Sequence, residues 1–399
     1  MNILVVGNGF DLAHGLPTTY NDFLNFIEVI SNLPPSRNDF FEVPSETNKI
    51  NDKLLRILND KLSKMNEGQY SIHLNKWEDL IYNNLWIEYF KLNRINIEHN
   101  WIDFEKEIGL VIKKLESIVK EGQVDRGFIP LSKFNDFESN VNRNFKFFIN
   151  LCVYIDTDRK YVKYDELKAG LEKDLERLTL ALDKYLYEYV ESIEISSYSP
   201  DIKIADIDKV ISFNYTNTFK HKYSEWSKAE INFVHGNAGE KSSNIVLGVE
   251  EYLTANEKNS NVEFIKFKKY YQIIDKQVDL KYKSWFYESN KKSKKRISPE
   301  KHNLYIFGHS LDITDKDILR ELILRDDVNT KIFYHNDNAR GKLIKNMVKI
   351  IGQDELVKRT TYPNNSIVLI KQRDFINENY YKNWEHRMRL LKEKRGYNC

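Results

Sequence analysis

Cysteine is nearly absent from this chain: Cys152 and Cys399 are the only two, and they lie far apart. No Cys-x-x-Cys pair exists, which excludes a zinc ribbon and a dithiol redox motif and argues against dependence on disulfides. Proline is scarce, at 8 of 399 residues. With 13% aromatic residues beside so little proline, the composition is that of an ordered globular protein, not a disordered one. Neither sign of charge dominates, since 61 lysines and arginines stand against 59 aspartates and glutamates; no global field draws the protein to nucleic acid or to a membrane. Long apolar runs are missing, and the first one is too short for a signal-peptide core and lacks a basic leader. These absences set the expectation of a soluble cytoplasmic protein, long enough for a large core and two structural units.

What is present begins at residue 2. Asn2-Ile3-Leu4-Val5-Val6 is a β-branched apolar run that breaks into Gly7-Asn8-Gly9-Phe10-Asp11, with Gly15-Leu16-Pro17 close behind. A short buried strand emptying into a glycine-rich turn is how an open α/β sheet sets backbone N–H groups against a phosphate. Gly7 and Gly9, lacking Cβ, let the chain turn tightly and approach a ligand. Leu12 stands where the third glycine of the dinucleotide fingerprint belongs, so the motif is partial.

From about residue 25 to 204 the chain turns charged, aromatic and helical. Trp101, Phe104, Ile108, Ile112, Leu115 and Val119 recur at helical spacing, as do Leu167, Leu171, Leu175, Leu178, Leu182, Tyr185 and Tyr189; both stripes read as the core of a helical bundle. Gly122 and Gly127 fall in a loop between helices. Strand-like runs return after residue 205, at Val210–Phe213, Ile231–Val234, Ile245–Leu247, Leu304–Phe307, Ile332–Tyr334 and Ile367–Ile370. Runs without alternation suit strands buried on both faces of a largely parallel sheet. The expected architecture is a Rossmann-like α/β fold. Residues 1–24 supply the first strand and turn, 25–204 an all-helical insertion, 205–375 the rest of the sheet, and 376–399 a helical tail.

Three later turns also follow strands: Phe213-Asn214-Tyr215-Thr216-Asn217, Val234-His235-Gly236-Asn237, and Gly308-His309-Ser310-Leu311-Asp312 with Asp315 beyond. In open α/β sheets ligands lie outside the carboxyl ends of the strands, so such turns can meet at one pocket. Each has a plainer interpretation. Asn214 and Asn217 satisfy turn backbone, His235 is a hydrogen-bonded core histidine, and Asp312 or Asp315 caps a helix.

The order and spacing of these turns resemble two families. Gly7-Asn8-Gly9-Phe10-Asp11 with Gly15-Leu16-Pro17, Phe213-Asn214-Tyr215-Thr216, His235-Gly236 and Gly308-His309-Ser310 look like the sirtuin turns. The opening Gly-Asn-Gly-Phe-Asp-Leu-Ala-His-Gly-Leu-Pro-Thr-x-Tyr, the late Phe-Gly-His-Ser-Leu, and Trp101-Ile102-Asp103-Phe104-Glu105 resemble the AbiH group of phage abortive-infection proteins, over most of the chain. Asp11 replaces the sirtuin serine and Thr216 the aspartate after Asn-Tyr. The sirtuin zinc module is absent, and with it the case for deacetylation.

The resemblance implies a sirtuin-like core and an anti-phage effector that binds NAD and hydrolyses its nicotinamide–ribose bond. Asn214 and His235 take the catalytic roles, the first holding water or ribose and the second accepting a proton. Gly7, Asn8 and Gly9 meet the diphosphate, Gly308 and Ser310 line the adenosine side, and Asp11 lies near a ribose. Phe10, Tyr215, Gly236 and His309 complete the binding set. No metal and no cofactor beyond NAD as substrate is expected, and no membrane partner; a phage-derived activator and a homo-oligomer stay open. Two alternatives remain: a nucleotide-binding sensor without hydrolysis, and an effector acting on nucleic acid. For the latter, Lys291-Lys292-Ser293-Lys294-Lys295-Arg296 supplies a basic run and Asp312, Asp315 and Asp317 supply carboxylates, though the run reads first as a solvated loop.

Overall fold

The structure, a computed structural model, describes residues 1–36, 50–95, 103–121, 124, 127–130, 153–156, 159–239, 243–251, 261–286 and 301–377. The basic run Lys291–Arg296 and both cysteines lie outside them. The chain divides into two compact units, one made of Met1–Leu16, Ile193–Val234 and Asp279–Cys399, the other of Pro17–Ser192 and His235–Val278. The breaks at Leu16 and Ser192 fall before the positions 24 and 204 read from the sequence. Residues 235–278 join the second unit, where the sequence reading kept them with the sheet.

The first unit is built on six parallel strands: β1 (Asn2–Val6), β6 (Lys209–Ser212), β7 (Glu230–Phe233), β8 (His302–Phe307), β9 (Val328–Tyr334) and β10 (Ile367–Lys371). Their order across the sheet is β10-β9-β8-β1-β6-β7. The chain therefore builds outward from β1 on one side, then returns to β1's other edge and builds outward again. This is the doubly wound order, and it places a switch point between β1 and β8.

The unbroken apolar runs are explained by burial on both faces. Ile3 and Val5 pack into one core with Ile211, Ile306, Ile332, Leu322 and Met347. Leu4 and Val6 pack into the other with Phe10, Val210, Phe219, Tyr223 and Phe307. Helices Lys316–Ile323 and Asp337–Ile351 cover the first face, and Asn8–Ala13 and Thr218–Tyr223 the second. Each fully buried side chain of this size contributes about 1.5–3 kcal/mol. One expected strand differs. Ile245–Leu247 is buried but lies in no strand. The side-chain amide of Gln272 takes both the N–H and the C=O of Leu247, at 2.9 and 3.1 Å, and Val246 N–H goes to His235 O, so no ladder forms.

The second unit is mostly helical, with helices at Tyr20–Ser31, Asp52–Ser63, Glu67–Ile81, Leu85–Ile95, Phe104–Lys120 and Tyr164–Glu188. Of the two predicted stripes, Phe104, Ile108, Ile112 and Leu115, and all seven positions from Leu167 to Tyr189, are buried. The aromatic richness is spent here: Phe26 meets Trp77, Tyr185 and Tyr189 at ring-centre distances of 5.4, 5.0 and 4.6 Å, and Phe104 stacks on Tyr20 and Phe90. The insertion is not helical throughout. β2 (Phe128–Pro130), β3 (Val153–Asp156) and β4 (Arg159–Lys163) form a small antiparallel sheet in the order β2-β4-β3. In the first unit β5 (Ser197–Tyr198) pairs with β11 (Ile376–Asn377), so the segment read as a helical tail opens as a strand; 378–399 lie outside the described residues. No described helix is long and apolar enough to cross a membrane.

Candidate functional site

Register brings three of the four predicted turns to one level. Val6 of β1 stands opposite Ser212 of β6 and Phe307 of β8, so Gly7, Phe213 and Gly308 leave the sheet side by side at the switch point. Gly9 N–H donates to Gly308 O at 2.7 Å, and Phe10 N–H donates to Gly7 O at 2.8 Å. The glycines make this approach feasible. A methyl group on Gly7 would lie 2.8 Å from His309 Cα, one on Gly9 2.7 Å from Gly308 O, and one on Gly308 2.1 Å from Phe10 N. Gly308 also has φ +68°, a left-handed conformation that glycine adopts without Cβ strain. In this arrangement the Gly9 N–H assigned to a diphosphate is held by the β8 turn.

Two side chains stitch β1's turn to β6's in opposite directions. The Asn214 amide donates from Nδ2 to Gly7 O at 3.0 Å; because a carbonyl only accepts, the NH2 group must face it, and Oδ1 remains an acceptor. In return Thr216 Oγ1 donates to Asp11 Oδ2 at 2.5 Å, with Thr218 Oγ1 3.1 Å further along. Asp11 is 1% exposed; it braces this junction, a role the sequence reading, which placed it beside a ribose, did not include. Beneath the turns lies a small recess lined by polar Asp11, Ser212, Asn214, Thr216 and Thr218 and by apolar Val6, Phe10 and Phe219.

His309 is buried, with both ring nitrogens engaged. Leu311 N–H donates to Nδ1 at 2.9 Å, so Nε2 carries the proton, and Nε2 lies 3.3 Å from Asp315 Oδ2. The ring packs edge-on to Phe213 at 4.4 Å. Asp312 caps the short turn after it by accepting from Thr314 N–H. These two aspartates thus act as cap and brace. Ser310 is exposed and its carbonyl accepts from Asn346 Nδ2. Phe10 is a core side chain, wholly buried against His14 and Phe307. Asn8 is exposed and Tyr215 half-buried.

His14, inside the opening motif, is a histidine that the sequence reading passed over. Its Nδ1–H donates to Phe10 O at 2.7 Å and its Nε2 accepts from Tyr223 Oη, 3.0 Å away, which itself accepts from Ser199 N–H. Burial holds its pKa down to about 4, so it stays neutral. The motif's later residues serve the second unit: Pro17 O accepts from Tyr185 Oη, and Thr19 closes a capping box with Asp22.

The remaining predicted pair, His235 and Gly236, belongs to the second unit. β7 ends at Phe233; Val234 follows it and donates its N–H to Ser212 O, and His235 comes next. His235 is buried and its carbonyl accepts from Val246 N–H at 2.8 Å. Gly236 has φ +76°, and a methyl there would lie 2.0 Å from Asn244 O. Asn237 N–H donates to Asn244 Oδ1 and Gly239 N–H to Asp183 Oδ1. Asp183 was not singled out in the sequence; its signal is an acid on the buried flank of a helix that also buries Thr179 and Leu186.

No curated protein and no solved structure matches the chain. The family model described as Bacteriophage abortive infection AbiH matches residues 3–337, from β1 to the first residue of the helix after β9. The glycine-rich turn, the stitched β6 turn, the β8 turn and the helical insertion all fall inside that span, and the chain belongs to the AbiH family of phage abortive infection.

Proposed function

We propose that this AbiH protein is an abortive-infection effector that binds NAD and hydrolyses the bond between nicotinamide and ribose. One observation carries the reading: three polar turns, those after β1 and β8 bearing glycine, meet at the carboxyl ends of β8, β1 and β6, at the switch point of a doubly wound sheet. That is where such sheets take nucleotides. In this reading the turns hold the dinucleotide, and Asn214 Oδ1 accepts from a ribose hydroxyl or the attacking water. The water oxygen bonds to the anomeric carbon as the carbon–nitrogen bond breaks. Its electron pair stays with the neutral nicotinamide; the water's proton goes to a base, the role that the sequence resemblance gives His235, and from there to solvent. An oxocarbenium-like state of this kind needs no strong acid for so good a leaving group.

A second reading has its own support. Gly9 N–H and the Asn214 amide hydrogen are both engaged in holding the turns together, as in a module that binds a nucleotide without cleaving it. Incubating the full chain with NAD and separating nicotinamide and ADP-ribose by chromatography distinguishes the two. Product formation that falls by about a hundredfold to ten-thousandfold in His235→Ala supports hydrolysis. Saturable NAD binding without product supports the sensor, and no binding at all overturns both.

A further inference from the structure

We propose that Asp183 is a positioning residue for His235, its carboxylate and the Lys276 ammonium clamping the two limbs of the loop that presents the histidine. The first limb, His235–Gly239, ends with Gly239 N–H donating to Asp183 Oδ1 at 3.0 Å. The second, Asn244–Leu247, receives Lys276 Nζ on the carbonyl of Ile245. The limbs are joined to each other by Val246 N–H to His235 O and by Asn237 N–H to Asn244 Oδ1. At Gly236 the backbones come so close that no Cβ fits.

Both ends of the clamp are carried by helices. Asp183 lies on the 25-residue helix Tyr164–Glu188 and is 9% exposed; Lys276 closes the helix Lys269–Asp275. A hydrogen bond from a backbone N–H to a buried carboxylate is of the stronger, charge-assisted kind. Burial pushes the Asp183 carboxyl up to about 6, the Gly239 hydrogen bond and Lys276 oppose that, and Glu191 and Glu188 add to it. Burial likewise lowers Lys276, against Glu176, Asp275 and Asp183. Loop backbone supported in this way is what a catalytic imidazole needs beneath it, because a site left about 1 Å loose loses much of its rate.

The functional consequence rests on the reading of His235 as the proton acceptor, whereas the clamp itself does not. The test uses the full chain as Asp183→Ala, Asp183→Asn and Lys276→Met. Amide hydrogen exchange of the 235–247 segment, the NMR titration of the His235 ring and NAD hydrolysis are measured in each. Asp183→Ala is expected to speed exchange at Gly239 roughly tenfold and to displace the His235 titration. Asp183→Asn keeps an acceptor oxygen and is expected to restore the exchange. Lys276→Met is expected to loosen 245–247 alone, and it decides the matter should Asp183→Ala not fold. Where NAD is hydrolysed, kcat falls about tenfold in Asp183→Ala with KM little changed. Unchanged exchange and an unchanged His235 titration in both Asp183→Ala and Lys276→Met overturn the proposal. A wild-type protein that leaves NAD intact while the exchange responds overturns only the hydrolytic reading.

Discussion

Asp11 and Thr216 stand 205 positions apart in the chain and share a hydrogen bond of 2.5 Å, buried under the glycine-rich turn. With Asn214 donating to Gly7 O in the opposite direction, it fastens the turn after β1 to the turn after β6. Thr216→Val keeps the shape and removes the donor to a buried carboxylate. A loss of about 1.5–3 kcal/mol is expected, the range for hydrogen bonds to charged groups. In a urea-denaturation cycle with Asp11→Asn the two changes should be non-additive by about 1 kcal/mol or more. Additivity within about 0.5 kcal/mol would show the bond to be incidental.

Gly308 and Gly341 should respond with opposite signs to the same substitution. Gly308 combines φ +68° with a backbone neighbour 2.1 Å from where a Cβ would stand; Gly341, inside the helix Asp337–Ile351, has nothing within 4 Å. Gly308→Ala must move the β8 turn off Gly9 and Phe10, and is expected to cost more than about 1 kcal/mol. Gly341→Ala adds helix propensity without a clash and is expected to stabilise by about 0.5–1 kcal/mol. Chemical denaturation of both variants checks the pair.

How far the sequence disclosed all this depended on the range of the interaction. The parallel sheet was legible because burial on both faces leaves a mark in every strand, as in Ile3-Leu4-Val5-Val6, and so was the long helix from its leucine stripe. Ile245–Leu247 carries the same apolar mark, yet Gln272 satisfies its backbone; no local pattern announces a side chain replacing a ladder. The small sheet of β2, β3 and β4 was missed because strands this short carry too little periodicity. At the site, the three turns could be named from their residue types. What those residues do could not, since Asn214 to Gly7 and Thr216 to Asp11 are long-range pairings. That Gly9 faces Gly308 is a matter of register, which emerges only once β1 is seen between β6 and β8.

Glu105, in the Trp-Ile-Asp-Phe-Glu segment, pairs with Lys269 at 2.9 Å, their side chains 12% and 4% exposed. Removing one partner of such a pair leaves a charge in a poorly solvated place, at a cost of about 3–5 kcal/mol, whereas replacing both by apolar groups can be nearly neutral. Lys269→Met is therefore expected to be strongly destabilising, and the double variant Glu105→Leu with Lys269→Met to recover most of the loss. Thermal denaturation of the single and double variants decides. A double variant no better than Lys269→Met would mean that the ammonium acts through partners other than Glu105.

The buried histidines make the fold acid-sensitive in a defined window. His14 is held neutral between Phe10 O and Tyr223 Oη, and His73 lies against Tyr189 Oη at 2.8 Å; burial holds both down to about 4, from 6.5. A base whose pKa is lower folded than unfolded binds more protons when unfolded, so its stabilising effect is complete above the unfolded value. It is lost as pH falls from 6.5 towards 4. For His14 the loss amounts to about 3 kcal/mol by about pH 4. Asp183, pushed up to about 6 by burial, works the other way over the same range, gaining stability as it protonates in the fold. The histidine term must therefore be isolated by difference. His14→Gln keeps a polar side chain in place and cannot titrate. Its stability deficit relative to the unmodified protein, measured by urea denaturation, should shrink by about 3 kcal/mol between about pH 7 and about pH 4. A deficit constant across that range would mean that His14 titrates alike in the folded and unfolded protein, and the hydrogen bonds to Phe10 and Tyr223 would have to be reassigned.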